Sequence, residues 1–153
     1  MKLQLSNDLI SEIAERIDSG ENIYIDLETT EILGMPGSQL AMHMGSEDLE
    51  QFYGDIMTAV EENPDRYLKI ETLYPAEAAK IMRRFAQNLD NEGLADKLWD
   101  AMSGRKAFRR FREVLNRNGH YLQEWYAFKQ MKIEQHVRAL IELHNERQDK
   151  QDS

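Results

Sequence analysis

The sequence predicts an α+β fold: a small three-stranded antiparallel sheet with flanking helices, packed on a C-terminal helical bundle. Three observations carry that expectation. Apolar residues alternate over 23–27, 32–35 and 66–70, which is the period of a half-buried strand. Elsewhere they recur at the 3.6-residue period of a helix. The strand-like segments all precede residue 73, and the remainder of the chain reads as helix after helix. At 153 residues the chain is expected to form a single domain. Within it we expect an acidic α/β half at 1–73, a helical half at 74–147 and a polar tail at 148–153.

Ser6 or Asn7 is placed to cap a first helix by accepting a backbone N–H, and Ile10, Ile13, Ala14 and Ile17 give that helix one apolar face. Gly20 suits a left-handed stop after Asp18 and Ser19. Ile23, Ile25 and Leu27 alternate with Tyr24, Asp26 and Glu28, the segment from Glu28 to Glu31 turns, and Ile32, Leu33 and Met35 return. Gly34 suggests a bulge or strand end. Residues 36–45 are expected to be a loop. Ser46 caps a second helix to about Glu62, with Leu49, Phe52, Tyr53, Ile56, Met57 and Val60 as its buried stripe. Asn63 and Pro64 stop it. A third strand at 66–70 pairs with the hairpin, since two strands alone are marginal in water.

Tyr74-Pro75 opens the helical half, because proline at the first helical position lacks only a donor that has no partner there. Ala78, Met82, Phe85, Ala86 and Leu89 face inward, then Leu94, Leu98, Ala101 and Met102. Ser103-Gly104 breaks the chain before an arginine-rich helix. Its core stripe is expected at Ala107, Phe108, Phe111, Val114 and Leu115. Asn118-Gly119 precedes a last helix running from about Tyr121 to about Asn145, after which the polar end frays.

The net charge of −9 conceals a split. Residues 1–79 hold 4 basic and 17 acidic side chains, a net of −13, whereas residues 80–153 hold 15 and 11, a net of +4. This argues against a binder of nucleic acid over its whole surface and leaves room for a local basic face. The absence of cysteine excludes disulfides, thiolate metal sites and a cysteine nucleophile, and fits a reducing compartment. No apolar run approaches the roughly 20 residues needed to span a bilayer. The start of the chain lacks the apolar core of a leader, being interrupted by Asn7, Asp8 and Glu12. We expect a cytoplasmic protein without a membrane partner.

Three blocks carry a family resemblance: RYLKIETLYPAEAAKIMRRF at 66–85, LADKLWDAMSGRKAFRRFREVL at 94–115 and EWYAF at 124–128. With the hairpin from Tyr24 to Thr29, the chain resembles the bacterial uncharacterised protein family 0158. The resemblance covers roughly residues 22–142, and its most specific parts are the Gly104 to Phe111 motif and the Trp-Tyr-x-Phe motif at Trp125 to Phe128. Thr30 departs from it, standing where that family's turn often has glycine. The resemblance implies an intracellular bacterial protein of mixed α and β structure. It brings no reaction, ligand or catalytic residue, so no functional residue is carried over.

The candidate binding surface is therefore read from the residues. Arg105, Lys106, Arg109, Arg110 and Arg112 form the densest cationic cluster in the chain, with Arg105, Arg109 and Arg112 expected as one helical stripe. Guanidinium groups bind carboxylates and phosphates bidentately. Tyr121, Trp125 and Tyr126 lie close in sequence and are of the type that stacks on bases. Three uses of this face remain open: ion pairs with the chain's own acidic residues, including a homo-oligomer, an acidic protein partner, or nucleic acid. Met42, His43 and Met44 offer soft metal donors but lack a second histidine or a repeated ladder. Asp26 and Glu28 share a strand face, as a carboxylate acid–base pair or a Mg²⁺ site would, with Glu31 across the turn. No His-x-x-x-His spacing, phosphate loop or nucleophile elbow is present. We expect no catalytic residue, metal or cofactor. The expected role is a non-enzymatic binding or regulatory domain that uses the cationic face on an acidic protein or its own acidic half. Nucleic-acid binding is the alternative, and a carboxylate-dependent enzyme the third.

Overall fold

The computed structural model describes residues 1–152 and resolves into two compact units. Met1–Leu73 forms the first, joined by the last helix from Ile133 onward; Tyr74–Lys132 forms the second. The fold is α+β, with its three strands confined to the first unit.

In the first unit, helix α1 (Asn7–Asp18) begins where Ser6 Oγ accepts the Leu9 N–H at 3.2 Å. It ends before Gly20, whose φ of 103° takes the chain into β1 (Glu21–Asp26). Strand β1 is central. β2 (Ile32–Pro36) and β3 (Tyr67–Ile70) flank it, both antiparallel, so the third strand completes the hairpin as its alternation predicts. Ile23 faces Gly34 on one side and Ile70 on the other; Ile25 faces Ile32 and Leu68. Ile23, Ile25 and Ile70 are fully buried, as are Ile13 and Ala14 of α1. Gly34 is therefore not a bulge or strand end. It lies inside β2, where a side chain would collide with the Arg16 guanidinium and the Glu21 carboxylate that pair across it.

Three expectations in this unit need correction. Residues 36–45 are not all loop, since Ser38–Ala41 form a short helix, α2. Helix α3 (Ser46–Glu62) begins one residue earlier than a Ser46 cap implies. Gly45 is the capping residue and no side chain closes the first turn. More importantly, α3 has no buried residue. Leu49, Tyr53, Ile56 and Val60 are only half-buried, while Phe52 is 65% exposed and Met57 38% exposed. Periodicity marks an apolar face, but a cover for that face comes from the rest of the fold.

In the second unit, α4 (Pro75–Gln87) starts on Pro75, and Glu77 accepts the Tyr74 N–H at 3.3 Å. It is followed by α5 (Glu92–Met102), capped by Asn91, and α6 (Ala107–Asn116). Helix α7 (Gly119–Asp152) supplies the remaining wall. Met82, Phe85, Leu94, Leu98, Phe111, Leu115 and Trp125 form one core. Its centre is aromatic: Trp125 meets Phe85 and Phe111 edge-on, with centroids 5.3 and 5.0 Å apart. Such edge contacts place a positive ring edge on a negative face.

The second unit runs from Tyr74 to Lys132, and the last helix is shared between the two units. Ile133, Val137 and Ile141 of α7 are buried in the first unit. There Asn145 holds the backbone of Leu3 through both its amide atoms, at 2.7 and 2.8 Å. The helix also runs past Asn145 through the expected polar tail to Asp152, where Lys2 pairs with Asp149 and the amino terminus bonds Gln148. Among the described residues, no helix is long and apolar enough to cross a membrane.

Candidate functional site

The cationic cluster lies on α6 and the turn that feeds it. Gly104 has φ 109° and Lys106 φ 59°, so the backbone enters the left-handed region twice in three residues. Only glycine does so without strain. This turn keeps Arg105 and Lys106 outside the helix, and the expected stripe of Arg105, Arg109 and Arg112 is therefore not one helical row. Arg109 and Arg112 continue along α6, and Arg110 folds back so that its Nη1 donates to the Ser103 carbonyl at 3.2 Å. Ser103 Oγ in turn donates to the Asp100 carbonyl at 2.8 Å. These bonds brace the turn from both sides.

The charges are mostly unneutralised. Arg109 pairs with Glu113 at 3.0 Å, one turn along the same exposed surface. Such a pair contributes about 0.3–0.5 kcal/mol. Among the described residues, the side chains of Arg105, Lys106 and Arg112 have no hydrogen bond or ion pair. Phe108, expected in the core, is 48% exposed. At 100° per residue it falls between Leu115, about 20° to one side, and Arg112, about 40° to the other, while Phe111 and Leu115 take the buried side. A narrow core stripe of two residues leaves Phe108 on the solvent edge. The cationic surface thus carries an aromatic side chain that periodicity alone assigns to the core.

The aromatic residues at the start of α7 separate. Trp125 is 8% exposed and belongs to the core, so it offers no face for a stacked base. Tyr126 is 47% exposed, and Lys129 Nζ lies 5.3 Å from its ring centre. Tyr121 is half-buried against the same core.

The hairpin carboxylates have a different occupation. Asp26 is buried, and its Oδ2 accepts Arg66 Nε at 3.0 Å and Nη2 at 2.9 Å. Its Oδ1 accepts the backbone N–H groups of Glu28 at 2.9 Å and Thr29 at 3.2 Å. The Arg66 guanidinium is the main reason the Asp26 pKa falls to about 2; burial opposes it and the two backbone donors assist. Asp26 is thus a clasp joining the turn to the start of β3. Glu28 reaches the same arginine at 3.4 Å. Arg66 is distant in sequence, and only the pairing of β1 with β3 brings it to Asp26. Of the histidines, His120 pairs with Glu124 at 3.1 Å and His144 bonds the Met1 carbonyl at 2.7 Å. Met42 and His43 are exposed in the turn after α2. Among the described residues, no three His, Asp or Glu side chains gather as a metal site.

Comparison with known families gives a match to the Uncharacterised protein family (UPF0158) over residues 2–149, nearly the whole chain. No curated protein and no solved structure matches it.

Proposed function

The chain belongs to the Uncharacterised protein family (UPF0158), and on that premise we propose that it is a non-enzymatic binding or regulatory domain. Its cationic face at 105–112 engages an acidic protein partner. The observation that carries this reading is the group of cationic side chains without an ion pair, Arg105, Lys106 and Arg112, with the exposed ring of Phe108 one helical turn from Arg112. Guanidinium groups match carboxylates in geometry, and an apolar ring among them suits an amphipathic ligand over a uniformly polar one. A polynucleotide fits less well. The chain's net charge of −9 repels a polyanion at long range, and Trp125 is committed to the core. An acid–base enzyme on the hairpin fits least, since Asp26 is saturated with donors and ionised at neutral pH. The proposed setting is the bacterial cytoplasm, in keeping with a chain that has no cysteine.

The test is fluorescence anisotropy at low and physiological salt, with three labelled probes. These are an amphipathic peptide whose polar face is glutamate, a single-stranded RNA and a duplex DNA. The peptide should bind the parent, and the triple variant Arg105→Ala, Arg109→Ala, Arg112→Ala should bind it on the order of a hundredfold more weakly, at about 1 kcal/mol for each charged contact. Polynucleotide binding that survives physiological salt and is lost in the same variant would transfer the face to nucleic acid.

A further inference from the structure

The acidic partner implied by the cationic face has a counterpart in this chain. Helix α3 carries six acidic side chains and no basic one. Its apolar sector is incompletely covered, as Phe52 and Met57 are exposed at the two edges of that sector. Beside Met57 lies an open concavity of about 530 Å³, with Leu49 and Met57 for apolar lining and Glu50, Asp55 and Glu61 for carboxylates. Gly54 opens the middle of it, because no side chain fills the space between the carboxylates. Glu50 and Glu61 form no ion pair among the described residues.

We propose that the α3 face of one copy receives the α6 face of a second copy, so that the chain self-associates through opposite charges. This rests on the reading of the α6 face as a surface for an acidic protein, and it names that protein. Three properties match. The segment 105–117 holds six basic side chains and one acidic, against the six acidic side chains of α3. An exposed apolar side chain adjoins the charges on each helix, Phe108 one turn from Arg112 and Met57 near Glu50 and Glu61. The lengths also agree: α6 has ten residues and is about 15 Å long, and the carboxylates of Glu50 and Glu61 stem from backbone positions about 16 Å apart. A contact between two different surfaces leaves one of each free on every pair, so copies add until the assembly closes on itself.

A charge exchange tests this directly. One full-length variant carries Glu50→Arg and Glu61→Arg; another carries Arg105→Glu and Arg112→Glu. None of these side chains has an ion pair within the described chain, so the fold, checked by circular dichroism, loses nothing by their reversal. Mass is measured by sedimentation equilibrium over a concentration series at low and high salt. The parent should rise from 17.9 kDa to a multiple of that value at low salt and return at high salt. Each variant alone should remain at 17.9 kDa, because like charges now meet. An equimolar mixture should associate again, since both contacts become complementary. A parent that stays monomeric, variants that associate as the parent does, or a mixture that does not recover would each overturn the proposal. If the parent is monomeric yet the glutamate peptide still binds the α6 face, only the identity of the partner is wrong. If neither occurs, both readings fall.

Discussion

Thr30 occupies a conformation that its side chain disfavours. Its φ is 62°, in the left-handed region where a β-branched residue is strained. The turn imposes this, because the Thr30 N–H must reach the Asp26 carbonyl, at 2.8 Å, while Asp26 N–H reaches the Glu31 carbonyl. Thr30→Gly should therefore stabilise the protein by about 1 kcal/mol, measured as a higher urea midpoint at unchanged slope. The neighbouring clasp gives a pH signature. Asp26 has its folded pKa lowered from 3.8 to about 2, so its stabilising contribution is complete above pH 4 and is lost as the pH falls towards 2. Asp26→Asn should lower the thermal midpoint at neutral pH and flatten the dependence of stability on pH between 4 and 2. A parent and variant with parallel profiles in that window would refute the assignment. The turn and its acidity were legible in the sequence. The arginine that neutralises Asp26 was not, because it arrives through a strand pairing between segments far apart in the chain.

At the scale of the element, α3 and α6 illustrate what periodicity conveys. Both helices exist where the apolar spacing predicts them, and in α6 the inward positions Phe111 and Leu115 are buried. How much of each stripe is covered depends on the neighbours, which spacing does not specify. Phe108 is left at the edge of α6, and all of α3 lacks a buried residue. Substitution should separate the two faces of α6. Phe111→Ala removes a ring from the aromatic core and should cost about 3–5 kcal/mol in chemical denaturation. Phe108→Ala should cost under about 1 kcal/mol, because surface positions outside special features change stability little. The same Phe108→Ala change should weaken binding of the glutamate peptide severalfold. Equal destabilisation by both substitutions would show that Phe108 serves the core. The strained Gly104 and Lys106 turn was likewise only partly legible. Gly104 marks a break in the sequence, whereas nothing about Lys106 announces a left-handed backbone.

For the whole molecule, the charge asymmetry and the division into units share one boundary near residue 73. The sequence shows the change in charge directly, and the strands end there as well. The return of the last helix to the first unit was not legible. Its apolar stripe continues without a break through Ile133, Val137 and Ile141, and the two parts of that stripe belong to different cores. The central claim is that the face at 105–112 is a surface for an acidic protein. The most direct measurement is amide chemical-shift mapping of the full chain at low salt, at a protein concentration low enough to keep it monomeric, as the glutamate peptide is titrated. A binding face at α6 predicts shifts concentrated at residues 104–113, with the Phe108 amide among the most affected. Shifts centred on another surface, or none at saturating peptide, would contradict it.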